Sequence, residues 1–282
     1  MTVGEALAAT TARLAAAGVP TPNVDARWLL GSVMDRLDAR VSLTSRRRLD
    51  DEALARLAES VARRIRREPL QLILGSVGFR HLDLLVRPDV FIPRPETEVL
   101  AGLAIAALPL AGGVVVEPCT GTGAVACAVA SEASPRTVVA TDTSAAAVRL
   151  ARDNAARAGV DVDVRRGDLL DPVPAGLRGT VDVLVGNPPY LAAGELDGLE
   201  PEVVDWDPYD ALVAGPTGHE VSDRLIRQAP RWLADGGWLL LEVDPFRADV
   251  TVQRMRAAGL ADAGVHNDLT GTGRIVAARS GG

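Results

Sequence analysis

"GVVVEPCTGTGAVACAVA", residues 113–130, is where the fold is decided. An apolar run of strand length, Gly113 to Glu117, gives way to a loop with glycines at 121 and 123, and an alanine- and valine-rich helical segment follows at once. The two glycines let the backbone pass close beneath a ligand, and the helix that follows offers its free amides to it. Strand, glycine loop and helix in this order open a βαβ unit. Such a glycine pair also suits a dinucleotide fold and is common by chance, so the flanking sequence has to arbitrate.

Downstream the same texture repeats. Apolar runs stand at "TVVAT" (137–141), "DVDVR" (161–165), "VDVLV" (181–185), "GWLLLE" (237–242) and "GRIVAA" (273–278), and helical patterns fall around 124–132, 145–158, 220–233 and 246–258. Alternation of this kind predicts an α/β protein with a doubly wound, mostly parallel sheet. Upstream, the pattern is helical to about Leu74. Thr2 with Glu5 reads as a capping box, Leu54, Leu57, Val61 and Ile65 recur at helical spacing after Asp50-Asp51, and Glu68-Pro69 stops that helix. Between the two lies "GSVGFRHLDLLVRPDVFIPRP", where Phe79, Leu82, Leu84 and Val86 approach a two-residue period. The predicted organisation is a helical domain over 1–74, a β-hairpin linker over 75–95 and an α/β domain over 96–282.

Composition narrows the function classes. The 282 residues carry a net charge of −7, and with lysine absent all thirty basic residues are arginines. A broad phosphate-binding surface is not expected of such a chain, and clusters such as Arg46-Arg47-Arg48 read as solvated faces. Cys119 and Cys127 with three histidines make neither a metal site nor a disulfide scaffold, so no metal is expected. The N-terminus lacks the basic start and continuous apolar run of a signal peptide, and Ala101 to Val116 is interrupted by Pro109 and Gly112-Gly113. A cytoplasmic protein without a membrane partner is expected.

Ligands of doubly wound sheets bind outside the carboxyl ends of the strands. Here those ends carry Glu117-Pro118-Cys119-Thr120-Gly121-Thr122-Gly123, Asp142, Gly167-Asp168 and Asn187-Pro188-Pro189-Tyr190. Taken singly, each has a plain structural reading: a turn, a helix cap at Asp142, a turn aspartate at Asp168, proline punctuation at 188–189. In order, a carboxylate after the second strand can take both hydroxyls of a ribose, and Asp168 stands where a polar group can meet an adenine edge. Two consecutive prolines stiffen the exit from the fourth strand.

This series resembles the class I S-adenosylmethionine-dependent methyltransferases, and its Asn-Pro-Pro-Tyr is similar to that of enzymes methylating a planar amide or amino nitrogen. The stretches "PLQLILGSVGFRHLDLLVRPDVFIPRPETE" (69–98) and "DPYDALVAGPTG" (207–218), with the closing Asp268-x-x-Gly271-x-x-Arg274, further resemble the protein-(glutamine-N5) methyltransferases of peptide chain release factors. The resemblance implies a Rossmann-like fold, S-adenosylmethionine as cofactor and a glutamine in the Gly-Gly-Gln loop of a release factor as acceptor. Matching positions would place Cys119 to Gly123 under the methionine part of the donor, Asp142 on its ribose and Leu169 on the adenine plane. Glu117, Asp168 and Asn187 count with the donor side as well. Asn187, Pro188, Pro189 and Tyr190 would hold the glutamine, with Arg94 and Glu98 also on the substrate side, and the helical domain would grip the protein substrate. An amide nitrogen is a poor nucleophile; two hydrogen bonds, to the Asn187 side-chain oxygen and the Pro188 carbonyl, would aim its lone pair at the methyl group, a positioning effect worth roughly 7–11 kcal/mol in favourable systems.

The chain departs from the family at three places. Glu117-Pro118-Cys119 stands for Asp-x-Gly, Glu242-Val243-Asp244 for a segment ending in Gly, and Leu169 for an often aromatic residue, which points to a divergent paralogue. A nucleic-acid base methyltransferase acting on adenine N6 or guanine N2 uses a similar turn, and another protein or a small-molecule amide is a further possible acceptor. Against the nucleic acid, residues 195–210 hold seven acidic side chains and no basic one, a lip that repels phosphate.

Overall fold

The computed structural model describes residues 1–34 and 42–281; the stretch 35–41 of the expected helical domain lies outside the described residues. The chain divides into two units, Met1–Ser76 with Pro201–Trp206, and Val77–Glu200 with Asp207–Gly282.

The first unit is helical: α1 (Val3–Ala16), α2 (Pro22–Val33), α3 (Asp51–Ile65) and the short α4 (Leu70–Leu74). The capping box forms as read, with Thr2 Oγ1 accepting from the Glu5 amide at 3.2 Å and Glu5 Oε2 accepting from the Thr2 amide at 2.7 Å. Asp50 caps α3 by accepting from the Ala53 amide at 2.8 Å. Leu7, Leu14, Leu29, Leu30, Leu57 and Val61 form its core. Inside this apolar setting Arg64 Nε donates to Asp25 at 2.7 Å, both side chains being buried, and Arg64 also reaches Glu202 at 2.8 Å. Arg67 takes the other oxygen of Glu202 at 2.5 Å. These arginines hold the helical turn Pro201–Val204, a segment distant in sequence, within the first unit.

The second unit takes in a two-stranded hairpin, β1 (Ser76–Phe79, all but its first residue) and β2 (Leu82–Leu85), and α5 (Thr97–Ala107). There follow β3 (Val114–Pro118), α6 (Ala124–Ala133), β4 (Thr137–Asp142), α7 (Ala145–Ala158), β5 (Asp163–Arg166), β6 (Val181–Gly186), a short β7 (Leu191–Ala192), α9 (Tyr209–Leu212) and β8 (Val213–Gly215), the turn at Pro201–Val204 counting as α8. The chain closes with α10 (Glu220–Gln228), β9 (Leu233–Glu242), α11 (Ala248–Ala257), β10 (Leu260–Asn267) and β11 (Gly273–Ser280). The main sheet has seven strands in the order β10-β11-β9-β6-β3-β4-β5. From β9 to β5 every pairing is parallel, and β11 enters antiparallel between β9 and β10.

Both faces of the sheet are covered, and alternate residues of each strand show it. Val114, Val116, Leu184, Leu239 and Leu241 pack with Leu225 and Ile226 of α10 and Val252 and Met255 of α11. Val115, Val183, Val185 and Leu240 pack with Leu100 of α5, Val125 and Val129 of α6, Val148 of α7, and Phe79 and Leu84 of the hairpin. Burial on both faces explains why these strands read as continuous apolar runs. The sequence pattern found five of the parallel strands and the last one; it missed β10, whose "LADAGVHN" is mostly exposed, and started β9 four residues late. The expected helix over 220–233 ends at Gln228, because Pro230 follows and the chain tightens into a single 3-10 turn.

The order of strands reverses between β3 and β6. Such a switch point leaves a crevice outside the carboxyl ends of the two strands.

Candidate active site

The loop after β3 is built by its own hydrogen bonds. Glu117 is 3% exposed, and its Oε2 accepts from the Thr120 hydroxyl at 2.6 Å and the Ala126 amide at 3.0 Å. Burial pushes this carboxyl up to about 8, against the pull of those two bonds. The carboxyl group thus shapes the loop from within. Cys119 takes φ +58°, a left-handed conformation that favours glycine, and its half-buried side chain packs against the core cluster on the α10–α11 face of the sheet. Burial raises its thiol, and the Asp142 and Glu117 carboxylates add to the effect. Gly121 is left-handed as well, and a Cβ there would meet no atom within 4 Å, so its backbone faces open space. Gly123 serves packing instead: a Cβ there would stand 3.1 Å from Ala151 Cβ of α7. Thr120 and Thr122 are buried, and the Thr122 carbonyl accepts from Asn154 Nδ2 at 2.9 Å.

Asp142 closes the loop from the neighbouring strand. Its Oδ2 accepts from the Gly121 amide and its Oδ1 from the Ser144 amide, both at 2.9 Å. Burial raises the carboxyl despite these bonds. The helix cap is Ser144, whose Oγ accepts from the Ala147 amide at 3.3 Å, so Asp142 is not merely a capping residue. An ionised carboxylate has about four acceptor positions, so two bonds leave capacity for further donors. Asp168 pairs with Arg224 of α10 at 2.5 Å, both side chains being largely exposed. Leu169 is 4% exposed with φ +48°, and its carbonyl accepts from Thr141 Oγ1 at 2.6 Å; its side chain lies in the core.

The Asn-Pro-Pro-Tyr turn follows β6 directly. Gly186 packs so closely on β3 that a Cβ would stand 3.0 Å from the Pro118 carbonyl oxygen, which brings this turn beside the donor-side loop. Asn187 Nδ2 donates to Glu242 Oε1 at 3.0 Å and to Thr97 Oγ1 at 3.4 Å. The register of β6 on β9, with Gly186 opposite Leu241, puts Asn187 next to Glu242. Glu242 is 2% exposed, and its Oε2 is a buried oxygen without a hydrogen-bond partner among the described residues. Burial pushes its carboxyl up to about 7, with the Thr97 hydroxyl pulling down and the Glu96 charge pushing up. Pro188 is buried; Pro189 and Tyr190 are half-buried, and burial pushes the Tyr190 phenol up to about 12. The "DPYDALVAGPTG" stretch folds back over this turn: β8 pairs with β7, and Gly218 approaches so that a Cβ would lie 2.6 Å from the Tyr190 carbonyl.

Arg94 and Glu98 have structural employment. Arg94 pairs with buried Asp207 and stacks over Phe91 at 4.8 Å, and the Glu98 carbonyl on α5 accepts from Arg80 at 3.1 Å. The closing element is a turn built on Asp268, which accepts from Thr270, Thr272 and Arg274 Nε at 3.0 Å. Among the described residues no group of three or more His, Cys, Asp or Glu could hold a metal ion, and no helix is long and apolar enough to cross a membrane.

Three residues of the site were given no role from the sequence. Glu242 ends an apolar run at a strand carboxyl end, the same signal that singled out Asp142, and could have been found by it. Thr97 lies inside the quoted Pro-Arg-Pro-x-Thr-Glu element but carries no signal of its own. Asn154, fully buried on α7, ties β2 to the loop through Leu85 and Thr122, a role visible only in three dimensions.

Residues 5–75 match the family model described as the PrmC N-terminal domain, and residues 96–199 that of the methyltransferase small domain. The release factor glutamine methyltransferase of Mycolicibacterium smegmatis is 42% identical over 97% of this chain and 96% of its own. Those of Deinococcus radiodurans and Corynebacterium glutamicum are 40% and 39% identical, over 100% and 99% of both chains respectively. A solved methyltransferase structure from Pyrococcus furiosus superposes with a TM-score of 0.54 at 21% identity, over 82% of this chain and 100% of that one, a likeness of fold. Full-length identity at this level places the departures at Cys119, Leu169 and Asp244 within the family: the chain belongs to the release factor glutamine methyltransferases and is an S-adenosylmethionine-dependent methyltransferase.

Proposed function

We propose that this chain methylates the side-chain amide nitrogen, N5, of the glutamine in the Gly-Gly-Gln loop of peptide chain release factors. The observation that carries the reading is the juxtaposition at the switch point, where the Gly186–Pro118 contact sets Asn187-Pro188-Pro189-Tyr190 beside the glycine loop and Asp142. The residues fit the donor: Gly121 presents bare backbone, and Asp142 keeps acceptor capacity for the two hydroxyls of a ribose. Bound there, S-adenosylmethionine supplies an electrophilic methyl group on a sulfonium.

The chain's own contribution is positioning. Asn187 Oδ1 and the Pro188 carbonyl accept the two N–H groups of the acceptor amide, and the paired prolines fix the direction of that carbonyl. Tyr190 packs on the flat amide. The helical unit over the N-terminal residues grips the protein substrate, and a cytoplasmic location follows from that substrate. Stable nucleic-acid binding is not expected, since the acidic 195–210 stretch follows the turn directly.

The test is the intact mass of a release factor incubated with the purified chain and S-adenosylmethionine. One added methylene on the Gly-Gly-Gln peptide is expected. Asn187→Ala should abolish the increment and leave donor binding largely intact; near wild-type transfer by that variant would sink the assignment.

A further inference from the structure

Glu242 is chemically expensive where it stands. It is a carboxylate almost wholly removed from water, with one oxygen unpartnered among the described residues, at the end of β9 directly after Leu239, Leu240 and Leu241. Buried carboxylates with unsatisfied oxygens cost stability, so a purely structural role predicts an apolar residue or a complete set of partners. The groups around it are Thr97 and Glu96 at the start of α5, Asn187 and Tyr190 after β6, and Arg274 on β11. Among the described residues Asn187 Nδ2 donates to it at 3.0 Å, and the Thr97 hydroxyl beside it pulls its carboxyl down.

The consequence lies in the Asn187 amide, which has two faces, an acceptor oxygen and a donor nitrogen. Above about pH 7, where Glu242 is ionised, its carboxylate accepts only, so it selects the orientation with the nitrogen turned inward. The oxygen is then the face left for an incoming N–H. With the amide turned over, a donor would meet a donor. We propose that Glu242 is the positioning residue of this active site, locking the Asn187 side chain with Oδ1 presented to the acceptor nitrogen. The proposal rests on the function proposed above and names what sets the geometry of its central residue.

The test compares Glu242→Met, which keeps the volume and removes the acceptor, with Glu242→Gln, which retains an acceptor oxygen. Methyl transfer to a release factor and calorimetric S-adenosylmethionine binding are measured for both. Glu242→Met should lose kcat on the order of 10²-fold, the scale of a misplaced reacting group, with donor Kd within about twofold. Glu242→Gln should recover to within about tenfold of wild type. A second readout is independent of turnover. The Asn187 side-chain amide resonance, identified by its loss in Asn187→Ala, should be shifted downfield and protected from solvent exchange in the wild type, and lose both properties in Glu242→Met. Glu242→Met with wild-type kcat, Glu242→Gln as inactive as Glu242→Met, or an Asn187 amide that does not respond would each overturn the proposal. If Glu242→Met does not fold, the wild-type resonance decides: protected supports the proposal, freely exchanging overturns it. Wild-type activity in Asn187→Ala would overturn the function reading instead, and leaves the resonance to report on Glu242.

Discussion

The Gly121 amide donates to Asp142 Oδ2 at 2.9 Å, across the gap between the loop after β3 and the end of β4. The loop that would cradle the donor and the carboxylate that would take its ribose are therefore one hydrogen-bonded unit. Asp142→Ala removes an acceptor from Gly121 and Ser144 as well as the charge. Donor affinity should fall by about 1.5–3 kcal/mol, the worth of hydrogen bonds to a charged group, as read by calorimetry. Asp142→Asn keeps one oxygen acceptor and should lose less; equal losses in the two variants would count against the shared role.

Cys119 holds a left-handed φ of +58° without being glycine. That conformation costs an L-residue about 1–2 kcal/mol, and glycine gives back roughly 0.5–1 kcal/mol in unfolded-state entropy. Cys119→Gly should therefore change stability by no more than about 1.5 kcal/mol on that balance, and bind the donor at least as well. A donor Kd that rises while the melting temperature holds would show that the thiol supports the loop through its core contact.

Glu117 and Glu242 both have carboxyls raised by burial, to about 8 and about 7. The folded state binds these protons more tightly than the unfolded chain, so protonation favours folding. The stability they contribute is fully present below the unfolded value near 4.5 and is lost as pH rises through about 7 to 8. The melting temperature should fall between pH 5 and pH 8, and Glu117→Gln should flatten that fall by at least about 2 °C, the low end of what 1 kcal/mol moves in a chain of this size. A slope unchanged in Glu117→Gln would assign the effect elsewhere.

Asp25→Ala removes one partner of a buried ion pair in the helical unit, and Arg64 keeps Glu202 at 2.8 Å. Breaking such a pair commonly costs 3–5 kcal/mol, and the remaining carboxylate puts the expected loss near about 3 kcal/mol. Replacing the pair together, as Asp25→Leu with Arg64→Met, should cost less than the single change. Chemical denaturation followed on the full chain would read both; a double variant worse than the single one would contradict the desolvation argument.

The sequence by itself determined the layers and the address of the site. Runs such as "VVV" (114–116) and "VLV" (183–185) are apolar at every position because the sheet is covered on both faces, and a pattern that strong survives without any knowledge of partners. Glycine, aspartate and Asn-Pro-Pro-Tyr at successive strand ends were legible for the same reason: strand polarity alone puts them on one edge. What only the tertiary structure decided is how each residue is used. Glu117 turns inward to Thr120 and Ala126, Arg94 is taken by Asp207, and Leu169 lies in the core, none of which residue type or spacing encodes. The first unit's hold on Glu202 and the pairing of Asn187 with Glu242 join residues 135 and 55 positions apart, counting from Arg67 and Asn187. Local propensity acts over a few residues, whereas a hydrogen bond between distant strands exists only after the register of β6 on β9 has been set by packing.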